Sequence, residues 1–87
     1  MLHPRVAKRV RRLPKRIQDV LELFIRELEA SGPVRGTWPN YGKLSQTRHH
    51  CHLKKGHPTY VAVWDVHDSQ VHIIEVIYVG THENAPY

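Results

Sequence analysis

In the stretch RHHCHLKKGHPTYVAVWDV, residues 48–66, the sequence changes from a helical to a strand pattern and also has its densest cluster of histidines. Upstream of it, apolar residues recur at helical spacing, whereas from Arg48 onward they alternate with polar residues at the period of a β-strand. The segment from Arg48 to His57 holds four of the eight histidines together with three cations. No acidic residue occurs between Asn40 and Val63, so the cluster combines imidazole with positive charge alone.

Three strands are predicted in and after this stretch, at residues 48–53, 59–66 and 71–79. The second and third are rich in valine, isoleucine and aromatic residues, and Asp68-Ser69 is predicted to turn the chain between them. Short connections in series favour an antiparallel meander.

Two helices are predicted before the strands. Residues 4–13 have one apolar edge and begin with a proline, and Pro14 ends this helix and can begin the next. Ser31-Gly32-Pro33 is a typical helix stop. Residues 31–47 are predicted to form a surface loop that Trp38 and Tyr41 anchor. The expected fold is therefore α+β, with a helical hairpin packed on a small antiparallel sheet of three to four strands.

Length and composition limit the number of domains, the class of partner and the cellular compartment that can be expected. Eighty-seven residues form one domain, 1–87, and a net charge of +5 with a pI near 9.7 favours a polyanionic partner. The single Cys51 excludes an internal disulfide, and the sequence has no apolar run that would cross a membrane. We expect a cytoplasmic protein with no membrane partner.

The first helix is strongly basic. Seven cations precede the first acidic residue, Asp19, and we predict that Arg9, Arg11 and Arg12 contact nucleic acid or an acidic partner. The alternative is an ordinary solvated face.

Strand alternation sends His50, His52 and Lys54 to one face, and His49, Cys51 and Leu53 to the other. His82 follows the last strand, with His72, Ile74, Val76, Tyr78 and Gly80 predicted on its side.

If the sheet brings His82 near His52, one imidazole could deprotonate a ribose 2′-OH and the other protonate the leaving 5′-oxygen. Arg48, Lys54 or Lys55 would stabilise the charge that builds on phosphorus.

Other interpretations of the histidines remain open. His50, His52 and His82 could bind zinc, but the cluster has no acidic residue and no Cys-x-x-Cys, so we expect neither metal nor cofactor. His3, His67 and His72 are interpreted as surface residues. His49 is interpreted as structural, and Cys51 as a small buried apolar residue.

The chain resembles the RelE/ParE toxin superfamily, and within it the YafQ-like branch. The resemblance covers nearly the whole chain and depends on the helical hairpin and on three motifs: Cys51-His52-Leu53, the Pro-led strand of residues 58–64, and Tyr78-Val79-Gly80-Thr81-His82. It implies a toxin of a type II toxin–antitoxin system that cleaves mRNA, often at the ribosome, and is inhibited by a cognate antitoxin. The toxin could form a homodimer or a toxin–antitoxin hetero-oligomer.

Within this resemblance His52 and His82 match the catalytic histidines, and Tyr60, Tyr78 and Tyr87 are the aromatic residues expected at the substrate. Thr59 stands where the branch has a catalytic aspartate, so His57 or His50 could take over that role. The first β-strand of the family is reduced to Met1-Leu2-His3, and the expectation is a rudimentary strand. A ParE-like toxin that binds DNA gyrase, or an inactive RNA- or antitoxin-binding relative, are the alternative functions.

Overall fold

The chain folds into two helices followed by an antiparallel sheet, in a computed structural model that describes residues 2–68 and 73–87. The helices are α1 (Pro4–Val10) and α2 (Lys15–Ser31). The strands are β1 (Gly42–Lys43), β2 (Arg48–Lys54), β3 (Tyr60–Asp68) and β4 (Ile73–Thr81), and a 3-10 turn at His82–Asn84 follows them. The predicted α+β class, with helices first and strands after, is confirmed.

Both helices begin and end where local chemistry dictates. The ring of His3 accepts a hydrogen bond from the backbone N–H of Arg5 at the start of α1, and Pro4 occupies the first turn. α1 ends at Val10, three residues earlier than predicted, because the following backbone tightens to i→i+3 bonds before Pro14, which has no N–H to donate. α2 ends at Ser31, and the residue that caps it is Gly32, whose φ of 88° favours glycine.

The sheet has four strands in the order β1-β2-β3-β4, with every neighbouring pair antiparallel. Its last three strands are the predicted meander. β1 lies in the segment that was predicted to be loop throughout, and it is only two residues long. Because a two-residue strand has no readable period, only its pairing with His49 and His50 reveals it.

The core lies between the two helices and one face of the sheet. Phe24 makes edge-to-face contacts with Trp38 and Trp64, at centroid distances of 5.0 and 4.9 Å. The indole of Trp38 also donates to Glu27, and Tyr41 packs against the same core. The prediction that Trp38 and Tyr41 anchor the long loop is thus confirmed.

Truncating Phe24 to alanine would lower the free energy of unfolding by about 3–5 kcal/mol, as for other buried aromatic residues.

One predicted face is wrong because β4 contains a β-bulge. The register shifts where Val63 and Trp64 pair with Tyr78 and Val76, so an extra residue interrupts the alternation. Ile74 and Val76 therefore face the helices, whereas Tyr78 packs with Val61 and Val63 on the opposite face. A strict period of two would have placed all three β4 residues together.

The rudimentary first strand is a single parallel bridge between Leu2 and Val76, where the N–H of His3 donates to the Val76 carbonyl. Predictions that concern Met1, Ser69, Val71 and His72 lie outside the described residues. In residues 2–68 and 73–87, no helix combines the length and the apolar character that a membrane span requires.

Candidate functional site

Three histidines and a tyrosine meet on the sheet face that points away from the helices. The rings of His52 and His82 lie 5.6 Å apart between centroids, in an edge-to-face arrangement. Tyr87 contacts both His50 and His82, at centroid distances of 4.8 and 5.8 Å. We call these four residues the histidine cluster. The structure thus brings the two predicted acid–base residues together at one end of the sheet, His52 from β2 and His82 from the turn after β4.

The alternation of β2 produces half of this arrangement. Along the strand, buried residues alternate with half-buried ones, so His50 and His52 share a face and His49, Cys51 and Leu53 enter the core, as predicted. His49 stacks on Trp64 at 5.6 Å and its Nδ1 pairs with the hydroxyl of Tyr41 at 2.7 Å. The structural assignments of His49 and Cys51 are confirmed.

Burial makes the thiol of Cys51 a poor nucleophile. The side chain is fully buried, and this burial raises the pKa of the thiol to about 12. A thiol with such a pKa is almost entirely protonated near neutral pH, whereas the thiolate is the reactive form. The thiol is therefore not a candidate nucleophile, and the candidate reactive side chains are the imidazoles on the other face of the sheet.

The C-terminal segment supplies the other half of the cluster. The N–H of His82 donates to the Thr59 carbonyl at 2.9 Å, which ties the 3-10 turn to the start of β3. Ala85 then packs on the apolar patch of Val61, Val63 and Tyr78. This contact brings the end of the chain back across the sheet, so that Tyr87 reaches the histidines.

Tyr78 packs on the sheet beside this turn and bonds to the residue that precedes it. It is only 7% exposed, and its hydroxyl donates to the Thr81 carbonyl at 2.7 Å. A Cβ on Gly80 would lie 2.6 Å from that hydroxyl, so glycine is required there for close approach. The structure therefore places Tyr78, a predicted substrate residue, beneath the site as a support for His82.

The electrostatics of the cluster favour a neutral His52. Burial lowers the pKa of His52, and the neighbouring His82, His50 and Lys55 lower it further, because each opposes a second positive charge. Burial and His82 likewise lower the pKa of His50. A neutral imidazole can accept a proton, so His52 is suited to act as a general base.

His50 and His57 are less suited to replace the missing aspartate. The Nδ1 of His50 is buried without a hydrogen-bond partner among the described residues, and its Nε2 would lie 3.1 Å from a Cβ at Gly42. One nitrogen of His50 is thus buried, and the other lies beside the backbone of Gly42. His57 is exposed in the loop between β2 and β3 and makes no ring contact with the other histidines within the described chain. Their predicted catalytic roles have no geometric support.

The predicted cations have different surroundings. Arg48 forms two hydrogen bonds with Asp65, from Nε at 2.7 Å and from Nη2 at 3.0 Å, so it is already paired with a carboxylate. Lys54 is half-buried, whereas Lys55 is exposed and close enough to His52 to lower its pKa. Lys55 is therefore better placed than Arg48 to contact a phosphate. Asp65 was not foreseen, because the register that places it opposite Arg48 cannot be read from one strand.

Tyr60 does not lie in the cluster. It packs against the core on the helix side, with Ala62 and Trp64 on the same pleat of β3. A substrate on the histidine face therefore lies across the sheet from its ring. The expected role of Tyr60 in substrate binding does not fit this position.

The basic surface of α1 lies beside the same face. Arg5, Lys8, Arg9 and Arg12 line one concavity, which is the helical pattern i, i+3, i+4, i+7. Arg11, also predicted to bind, follows the last residue of α1 and does not line this concavity. A second concavity contains Arg5 and Arg9 together with Tyr78 and Pro86, the residue before Tyr87. Positive charge therefore extends from α1 to the edge of the histidine cluster.

A zinc site at His50, His52 and His82 was the alternative interpretation of the cluster. Across residues 2–68 and 73–87, no group of three or more histidine, cysteine, aspartate or glutamate side chains is arranged to hold a metal ion. The remaining surface histidine that the structure describes, His67, is exposed and pairs with Glu75 at 3.1 Å. His3 forms the N-terminal cap of α1.

Comparison of the chain with protein-family models, with curated proteins and with solved structures finds no match. The function is therefore inferred from the geometry of the site.

Proposed function

We propose that the chain is a metal-independent endoribonuclease that cleaves mRNA, in the manner of a RelE-type toxin. The observation that carries this proposal is the contact between His52 and His82 on an open sheet face flanked by Lys55 and by the cations of α1. Two imidazoles at this distance can reach one phosphodiester, and the surrounding positive charge attracts a polyanion.

His52 is the general base in this mechanism. Its neutral imidazole takes the proton from a ribose 2′-OH, and the resulting oxygen attacks the adjacent phosphorus. His82 donates a proton to the 5′-oxygen as its bond to phosphorus breaks. Lys55 stabilises the negative charge on the phosphoryl oxygens. The products are a 2′,3′-cyclic phosphate and a 5′-hydroxyl end.

The family resemblance supplies the biological setting of the proposal. It would make the chain the toxin of a type II toxin–antitoxin system in the cytoplasm, acting on mRNA at the ribosome and inhibited by its antitoxin. The basic concavity of α1 supports either RNA or an acidic protein segment as a partner.

The test is cleavage of mRNA by the purified chain, with and without ribosomes. Replacing His52 or His82 by alanine should reduce the cleavage rate by about two to four powers of ten, as expected for loss of a general acid or base. His67→Ala is the matched control, since His67 is exposed and, among the residues that the structure describes, pairs with Glu75 on a distant part of the sheet. Cleaved ends should carry a cyclic phosphate, and EDTA should have no effect.

Full activity in both the His52 and His82 variants would contradict the assignment. Loss of activity with EDTA, restored by zinc, would favour the metal site instead. Inhibition of DNA gyrase without any RNA cleavage would favour the ParE-like alternative.

A further inference from the structure

A cleft of about 370 Å³ lies on the same sheet face, next to the histidine cluster. Arg48 and Asp65 line it on the sheet, and Leu44, Pro86 and Tyr87 line it from the loop and the C-terminal segment. The hairpin between β1 and β2 is held by bonds from the backbone N–H groups of Thr47 and Arg48 to the Ser45 hydroxyl. The wall of the cleft is therefore partly apolar and aromatic and contains one polar pair.

The pairing with Asp65 leaves a defined set of donors on Arg48. Its Nε and one N–H of Nη2 are bound to the two carboxylate oxygens. A guanidinium carries five N–H donors, so the two N–H groups of Nη1 and the second one of Nη2 remain. Among the described residues Nη1 makes no hydrogen bond, and the side chain of Arg48 is 40% exposed. The carboxylate thus holds the fork in place and leaves its Nη1–Nη2 edge available.

The cleft is at the right distance to hold a neighbouring nucleotide. Arg48 and His52 lie on the same face of β2, four residues apart, which corresponds to about 13 Å along a strand. Tyr87 spans the gap, because it contacts His50 and His82 and also lines the cleft. An RNA chain whose phosphate lies between His52 and His82 can therefore place an adjacent base beside Tyr87.

We propose that this cleft binds a base next to the cleaved phosphodiester and selects guanine. The proposal rests on the proposed ribonuclease function. Guanine presents the acceptors O6 and N7, which match two parallel N–H groups of an arginine fork, whereas adenine replaces O6 with a donor. Tyr87 supplies an aromatic face for stacking, as in other sites for single-stranded RNA. Asp65 disfavours a phosphate in the same place, because it neutralises Arg48 and would repel a second anion.

Binding of mononucleotides tests this cleft independently of catalysis. The full chain is titrated with guanosine 3′-monophosphate, adenosine 3′-monophosphate and inorganic phosphate, and affinities are measured by calorimetry or by NMR shifts. The guanosine compound should bind about five-fold to a hundred-fold more tightly than the adenosine compound, which is the usual discrimination of one bidentate base contact. Inorganic phosphate should not compete for the cleft.

Two substitutions separate recognition from a merely structural role. Arg48→Lys keeps the charge but removes the fork, so the preference for guanosine over adenosine should disappear, while the affinity of the chain for inorganic phosphate should not change. Asp65→Asn frees the charge of Arg48, so inorganic phosphate should bind more tightly and the base preference should fall. Arg26→Lys is the control, since Arg26 forms an exposed pair with Glu22 on α2. It should leave all three affinities unchanged.

The outcomes distinguish this inference from the ribonuclease proposal. Equal affinities for the two nucleotides, or a guanosine preference that survives Arg48→Lys in a folded chain, would overturn the inference even if RNA is cleaved. Selective guanosine binding that Arg48→Lys abolishes would support it, even in a chain that cleaves no RNA.

Discussion

The chemistry of single residues depends on how the sheet surrounds them. His49, His50 and His52 are close neighbours in sequence, yet the first stacks in the core, the second lies beside Gly42, and the third contacts His82. Only His52 combines partial exposure with a ring partner of the same chemistry. Burial, together with the neighbouring His82, His50 and Lys55, then lowers its pKa, which favours the neutral imidazole.

The pH dependence of cleavage should report this shift. Since the pKa of His52 is lowered, the acidic limb of kcat/KM should lie below 6.5, the ordinary value for histidine. Lys55→Gln removes a positive charge that opposes protonation, so the pKa of His52 should rise and the acidic limb should move to higher pH. The measurement is kcat/KM against pH for the two proteins.

Lys15→Gln serves as the control for this shift. Lys15 forms an exposed pair with Asp19 on α2 and is not among the groups that act on His52. Its replacement should leave the limb in place. An acidic limb that does not move in the Lys55 variant, or that moves to lower pH, would contradict the assignment of His52 as the base.

Among the elements, α1 has one side that packs in the core and another side that is strongly basic. Val6 is buried against the sheet, while the cations at i, i+3, i+4 and i+7 surround a concavity on its outer side. The exposed charges of α2 are partly neutralised within the helix by pairs such as Lys15–Asp19 and Arg26–Glu22. The unbalanced positive charge therefore belongs to α1.

We predict that this concavity binds RNA phosphates. Replacing Lys8, Arg9 and Arg12 together by glutamine should weaken RNA binding and reduce the slope of log affinity against log salt by about 2, since each phosphate contact to single-stranded RNA contributes about 0.7. The matched control replaces Arg11, Lys15 and Arg16, which lowers the net charge equally from outside the concavity. Equal effects of the two triple variants would show that only net charge matters.

At the scale of the whole molecule, the sheet has an open edge along β4. Only Leu2 and His3 contact that edge as a strand, at Val76, among the residues that the structure describes. Ile73 on the same strand is 54% exposed. Open edges recruit another strand or aggregate, because their backbone N–H and C=O groups need partners.

We therefore expect a partner segment, which under the proposed function is an antitoxin segment, or a second copy of this chain, to add a strand beside β4. Outward-facing amides of β4 should exchange rapidly with solvent in the isolated chain and become protected in the complex, while those bonded to β3 should stay protected in both. Hydrogen exchange read out by NMR measures this. Rapid exchange at the β4 edge in the complex would place the partner elsewhere, and the basic surface of α1 would be the next candidate.

The features that depend on hydrophobic period and on local backbone chemistry can be predicted from the amino-acid sequence. The helical hairpin, its proline and glycine boundaries and the three-stranded meander follow from hydrophobic spacing and backbone preference. The burial of His49 and Cys51, and the shared face of His50 and His52, follow from alternation within one strand. These features need no knowledge of distant contacts.

Which residues meet across the sheet depends on tertiary packing and cannot be predicted from the sequence pattern. The bulge in β4 separates Tyr78 from Ile74 and Val76, and the register of β2 with β3 pairs Arg48 with Asp65. The packing of Ala85 on Val61 and Val63 brings Tyr87 to the histidines. Register, bulges and the path of the C-terminal segment are set by contacts between residues far apart in the chain, and no local period encodes them.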